Sequence, residues 1–214
     1  MHDPDLICII ESWLDRNILD SEIAILGYQS CRLDRDRHGG GVLLYIGDVF
    51  NFTLLPTPNN KLELLSAVVQ HNSIPTRVCL SLFYRPPSSA PEILDHICEH
   101  FDYLNIAQYA NFIIVGDFNI DVSNCSHPLY AKLNSIMSTY GIFQNVDDYT
   151  HVPHNGTSSI IDLLLASHQG LVQSCTTIPA LSTSDHNGLL ATLSLKTIRS
   201  ISKQRIVWRY KHAD

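Results

Sequence analysis

Short apolar runs, each closed by a turn signal or a carboxylate, alternate along the 214-residue chain with three stretches of helical spacing. Residues 6–10, Leu-Ile-Cys-Ile-Ile, predict a strand that ends at Glu11. Residues 15–25 have mixed helical spacing and stop at Gly27, which predicts a helix. His38-Gly39-Gly40-Gly41 reads as a glycine turn feeding a strand over 42–46. β-rich runs over 62–70 and 77–84 follow, the second halted by Pro86 and Pro87. Between Ser88 and Gln108, a serine cap region, Pro91 and the apolar positions Ile93, Ile97, Phe101 and Leu104 predict an amphipathic helix. Residues 112–115 predict a buried central strand, with Gly116 turning the backbone tightly before Asp117-Phe118-Asn119. A further helix is predicted over 129–140, stopped by Gly141, and Asn155-Gly156 marks a turn. Residues 160–165 give a strand carrying a single acid, Asp162, and 189–195 give a last apolar run after Ser184-Asp185-His186. Two β-rich halves, each with helical cover, predict an α/β fold built on a two-sheet sandwich.

Composition narrows this to one globular domain over residues 1–195. Apolar residues make up 45% of the chain, and no run approaches the length of a membrane span. The first residues, Met1-His2-Asp3-Pro4-Asp5, are acidic rather than signal-like. Six scattered cysteines without a CxxC pair read as buried free thiols in a reducing compartment, which places the chain inside the cell. Charge is unevenly spread. The last nineteen residues carry +5 and read as a solvated basic linker over 196–214, whereas residues 1–195 carry −12. An acidic body is a poor non-specific binder of polyanions and a reasonable scaffold for divalent cations.

Taken singly, the candidate residues have ordinary readings. Glu11 suits a solvated strand end, Asp117 a turn cap, Asp162 a satisfied buried acid, Tyr84 a packed strand aromatic, and His186 a surface or core histidine. His151-Val152-Pro153-His154 and the His96/His100 pair read as surface histidines, because no set of further ligands completes a site. Yet isolated charges at the ends of buried strands are costly unless paired, hydrogen-bonded or metal-bound. Three of them in one small domain indicate a site, and their order along the chain is more specific than any one of them.

That order resembles the endonuclease/exonuclease/phosphatase superfamily. More narrowly, it resembles the apurinic-endonuclease-like domain of non-LTR (LINE-type) retrotransposon proteins. The matching segments are Glu11-Ser12-Trp13-Leu14, Gly39-Gly40-Gly41-Val42, Phe83-Tyr84-Arg85-Pro86-Pro87, Gly116-Asp117-Phe118-Asn119, Ser159-Ile160-Ile161-Asp162 and Ser184-Asp185-His186. The resemblance implies a DNase-like, four-layer αββα fold, a two-layered β-sandwich flanked by helices. It implies a metal-dependent phosphodiesterase that nicks DNA and leaves a 3′-hydroxyl primer for target-primed reverse transcription, in the nucleus. The implied cofactor is Mg²⁺ or Mn²⁺. The implied partners are DNA, the element RNA and a reverse transcriptase region reached through the basic linker.

Site roles follow from the same resemblance. Glu11 is the chief metal ligand, with Asp185 close to it. Asp117 orients or deprotonates the attacking water, and Asn119 fixes its geometry. His186 contacts a phosphoryl oxygen and is held protonated by Asp162. Tyr84 donates to the same phosphate, and Arg85, Thr150 and Ser159 match positions near the DNA. The family pattern opens with an asparagine-bearing strand ahead of the glutamate strand, and ten residues before Glu11 leave that first strand without a counterpart. Two alternatives stand beside the nuclease: a catalytically silent relic of the domain, and another phosphoesterase of the superfamily acting on a phospholipid or inositol phosphate.

Overall fold

The computed structural model describes residues 4–180 and 183–195, so the basic segment over 196–214 lies outside the described residues. In chain order the elements are β1 (Leu6–Ile10), β2 (Tyr28–Leu33), β3 (Val42–Gly47), β4 (Phe50–Leu55), β5 (Glu63–His71), β6 (Arg77–Tyr84) and α1 (Ile93–Leu104). There follow β7 (Phe112–Asp117), α2 (Tyr130–Tyr140), β8 (Phe143–Gln144), β9 (Asp162–Ala166), β10 (Val172–Ile178) and β11 (Gly188–Leu193).

Six strands form one mixed sheet in the order β4-β5-β6-β7-β9-β8. Only β6 and β7 run parallel, and α1 supplies the crossover that such a pair requires. A second sheet, β1-β3-β2, packs over β5, β6 and β7, while β10 and β11 form a separate antiparallel pair. The opposite face of the large sheet is covered by α1. Phe101 meets Phe112 edge to face at 5.3 Å, and Ser66 Oγ lies 3.1 Å from His100 Nε2. Helix α2 leans on α1 through Tyr140, whose ring is 5.1 Å from that of Phe101, and through a Lys132–Asp95 ion pair at 2.7 Å.

Strand alternation makes this layering functional. Tyr84, Asp117 and Asp162 are register partners on β6, β7 and β9, so their side chains share one face of the sheet. Ser66 and Phe112 have the other parity and meet α1, so the Tyr84–Asp117–Asp162 row points away from the helices, toward the smaller sheet. Leu82, Phe83, Phe112, Ile114 and Leu163 are fully buried around it.

Two expectations need correction. Residues 15–25 do not form a helix but loops with a single 3₁₀ turn, Asp20–Glu22. Their polar side chains take the backbone for themselves: Asp15 accepts from Asn17 N–H at 2.8 Å and Glu22 from Leu19 N–H at 2.7 Å. Leu19 and Leu26 are exposed, so no apolar stripe remains to bury a helix. Among the described residues the helices therefore cover one face of the sandwich, not two. Gly116 lies inside β7 rather than in a turn after it. At φ +152° a Cβ there would sit 1.8 Å from the Phe83 carbonyl oxygen, so glycine is needed for the close approach of β6 and β7. Among the described residues no helix is long and apolar enough to cross a membrane.

Candidate active site

Three neighbouring strand ends build the floor of the site. Tyr84 and Asp117, at the ends of β6 and β7, are buried, and Asp162, at the start of β9, is partly buried. Asp117 accepts from Asn119 twice, from its backbone N–H at 2.8 Å and from its Nδ2 at 2.7 Å. Asn119 also donates through Nδ2 to the Arg85 carbonyl at 2.8 Å, and its φ of +48° is a turn conformation that asparagine tolerates. Burial, reinforced by the charge of Asp162, pushes the Asp117 carboxyl up to about 7. A carboxyl held near neutrality can exchange a proton at physiological pH.

At one end of the row stands Glu11. It follows β1 with φ +56°, and the backbone beyond it is pinned by Ser12 N–H to Gly41 O at 3.1 Å and Trp13 N–H to Gly40 O at 3.0 Å. A Cβ on Gly41 would lie 2.8 Å from Ser12 Oγ, so the glycine turn before β3 lets this loop approach. Glu11 accepts from the Tyr84 hydroxyl and from Trp13 Nε1, the latter at 3.0 Å. Burial and the Glu11 carboxylate both raise the Tyr84 pKa, so its phenol stays a donor, at present to Glu11. Arg35 lies 5.8 Å from the Tyr84 ring centroid and pairs with Glu63 at 2.6 Å, bracing this end.

At the other end stands His186. Its Nδ1 lies 2.9 Å from Asp162 Oδ2, and this hydrogen bond is the largest influence lifting the imidazole to about 9, against the opposing pull of burial. His186 is therefore a cation near neutral pH, with its second ring nitrogen available. Asp185 sits beside it. Burial raises the Asp185 carboxyl, but hydrogen bonds from its own backbone N–H and from His151 carry it below the ordinary value. The contacts of Asp185 run to His151 and His186, and those of Glu11 to Tyr84 and Trp13. These two acids thus mark opposite ends of the row.

The residues expected to touch substrate fall elsewhere. Arg85 is only 4% exposed. Its guanidinium donates to Ser89 O at 2.6 Å and Asn119 O at 3.4 Å, which makes it an internal clamp on the loop after β7. Thr150 is fully buried, and its Oγ1 accepts from Ile161 N–H at 3.1 Å and Asp162 N–H at 3.0 Å, fixing Asp162 for His186. Both side chains are engaged by the protein's own backbone. Ser159 is partly buried and lies 3.3 Å from His151 Nδ1. His151 is the residue that sequence reasoning set aside. Its sole sequence signal is adjacency to Thr150, and only the bridging of its backbone to Ser159 and His186 brings it to the site.

Carboxylate and imidazole donors are grouped so that they could hold a metal ion: one donor atom from each of Asp117, Asp162 and His186 lies within 4.8 Å of the others, and the same holds for His151, Asp185 and His186. Glu11 stands apart from both groups, its two carboxylate oxygens accepting from Tyr84 and Trp13.

Known proteins share this fold. A family model described as endonuclease-reverse transcriptase matches residues 78–190, more than half of the chain. No curated protein matches in sequence. Among solved structures, the endonuclease domain of TRAS1, a telomere-specific non-LTR retrotransposon, superposes with a TM-score of 0.70 at 15% identity, covering 90% of this chain and 87% of that one. An AP endonuclease from Archaeoglobus fulgidus gives 0.65 at 15% identity, covering 90% of both chains. A 3′ phosphatase from Neisseria bound to a product DNA hairpin gives 0.64 at 15% identity, again covering 90% of both chains.

Proposed function

Because the chain belongs to the endonuclease-reverse transcriptase family, within the endonuclease/exonuclease/phosphatase superfamily, we propose that it is a metal-dependent phosphodiesterase that nicks DNA and leaves a 3′-hydroxyl to prime reverse transcription. The observation that carries this reading is the row Tyr84–Asp117–Asp162 on adjacent strands, closed at one end by Glu11 and at the other by His186.

Each residue has a task matched to its surroundings. Asp117, a base near neutrality, takes a proton from the attacking water while Asn119 holds the carboxylate in place. The water oxygen forms a bond to phosphorus in line with the bond to the 3′-oxygen, which breaks. The 3′-oxygen departs with the electron pair and takes a proton from solvent to end as a hydroxyl, and the phosphate stays on the 5′ end of the downstream strand. His186, cationic and fixed by Asp162, donates a hydrogen bond to a non-bridging phosphate oxygen as charge builds there. Tyr84, whose hydroxyl donates to Glu11, turns that proton toward the same phosphate when substrate binds. Mg²⁺ or Mn²⁺ held at Glu11 would supply charge neutralisation at the phosphate oxygens.

Product-end chemistry tests the reading. After incubation of a duplex with protein and Mg²⁺, a polymerase should extend the nick directly, without prior end repair. Nicks that need phosphatase treatment before extension contradict the proposed polarity. Turnover of phospholipid or inositol phosphate with no nicking would assign the fold to another phosphoesterase. The absence of any turnover would leave a silent domain, a reading favoured by the separation of the β10–β11 pair from the β1-β3-β2 sheet.

A further inference from the structure

His151 is used neither by the core nor by the nuclease scheme, yet it is held as firmly as the residues that are. Its backbone bridges antiparallel to Ser159 on one side and His186 on the other. The flanking hydrogen bonds, Val152 N–H to Asp185 O and Asn187 N–H to Thr150 O, are both 2.7 Å. Two chain segments are thereby locked side by side, with His151 on one and Asp185-His186 on the other. The His151 and His186 rings lie 4.9 Å apart between centroids, and His151 Nε2 is 3.1 Å from Asp185 Oδ2.

The ring nitrogens are the informative ones. Ser159 Oγ lies 3.3 Å from His151 Nδ1, and Asp162 Oδ2 lies 2.9 Å from His186 Nδ1. Each imidazole is thus tied down through Nδ1 by an oxygen, and the Nε2 of His151 already faces Asp185. That is the outer-shell arrangement of histidines that ligate metals. One donor atom from each of His151, Asp185 and His186 lies within 4.8 Å of the others. Two ligands about 2.0–2.1 Å from a tetrahedral zinc stand about 3.4 Å apart. The present 3.1 Å between His151 and Asp185 needs little adjustment to reach that.

We propose that His151, Asp185 and His186 form a three-ligand site for Zn²⁺ with a fourth position open to solvent, and that its occupation withdraws His186 from phosphate. The binding stands on geometry alone; the inhibitory consequence rests on the nuclease reading above. Two imidazoles and one carboxylate suit a borderline cation. Side chains of His151, Asp185 and His186 are 25%, 50% and 34% exposed, so an ion arriving from solvent can reach them. The buried Cys79 thiol offers little competition, since burial pushes it up to about 12 and keeps it protonated.

The test is calorimetric titration of ZnCl₂ into the metal-free protein, with melting curves recorded for every variant. The wild type should bind one equivalent. His151→Ala and Asp185→Asn should weaken binding by more than about tenfold, and Ser159→Ala, a milder change, by several-fold. Glu11→Gln should bind Zn²⁺ as the wild type does. Undiminished binding in folded His151→Ala overturns the site, as does failure of the wild type to bind; should His151→Ala not fold, Ser159→Ala decides. In the same preparations, Zn²⁺ should inhibit Mg²⁺-supported plasmid nicking, with half-inhibition at a concentration about tenfold higher for His151→Ala. Zinc binding in a protein that nicks nothing keeps the site and removes the nuclease. Zinc binding that leaves nicking untouched refutes the inhibitory role.

Discussion

Replacing Asp162 by Asn removes the chief support for the charge on His186. Asp162 Oδ2 lies 2.9 Å from His186 Nδ1, and this contact is the first cause lifting the imidazole from its ordinary 6.5 to about 9. At about pH 8, a group with a pKa near 9 is roughly 90% protonated and one near 6.5 about 3%. Loss of the partner therefore removes up to roughly thirtyfold of the charged form, and solvent screening at this partly exposed ring reduces that to about tenfold. The same substitution deletes the second cause of the raised Asp117 carboxyl, so the base becomes active at lower pH. Both limbs of the activity profile should move in the acid direction. The assay is plasmid nicking at fixed Mg²⁺ from about pH 5.5 to 9.5. The wild type should peak near pH 8, between Asp117 deprotonation and His186 deprotonation. Asp162→Asn should lose about tenfold at pH 8 and far less near pH 6. A loss of equal size at every pH would refute the reasoning and reduce Asp162 to a structural acid.

Other outcomes follow from the same contacts. Glu11→Gln should lower nicking by roughly two orders of magnitude and weaken its Mg²⁺ dependence, while Glu99→Gln, on an exposed side of α1, should stay within about twofold; similar losses would exclude Glu11 as a ligand. Gly116→Ala should destabilise the fold by about 3–5 kcal/mol, because its Cβ would collide with the Phe83 carbonyl; thermal melting should fall by about 10 °C. Asp117 and His186 both bind protons more tightly folded than unfolded. Their stabilising contributions are therefore complete below the ordinary values of 3.8 and 6.5 and vanish as pH rises through about 7 and about 9. Melting temperature should decline from pH 6 to 9.5, and a flatter decline is expected in Asp117→Asn and in His186→Gln.

Much of this was readable in the sequence where one physical cause dominates. Continuous apolar runs at 42–46, 77–84 and 112–115 became β3, β6 and β7 because both of their faces are covered. β2, β4 and β10 were missed because polar residues recur along them at half-covered positions, as in Val-Gln-Ser-Cys-Thr-Thr-Ile. The apparent helix over 15–25 had the spacing but not the burial. In the site, the Gly-Asp-Phe-Asn and Ser-Asp-His segments identified residues whose chemistry is local to one strand end. Thr150, Arg85 and His151 owe their positions to pairings between distant segments, and spacing along the chain carries no trace of such pairings.

The central claim is that the row from Glu11 to His186 breaks phosphodiester bonds with a divalent ion. Relaxation of supercoiled plasmid by purified wild type and Asp117→Asn, each with Mg²⁺ and with EDTA, tests it most directly. Nicking by the wild type in Mg²⁺, abolished by EDTA and reduced at least about a hundredfold in Asp117→Asn, is the predicted result. Nicking that persists in EDTA, or that Asp117→Asn retains in full, would contradict the account.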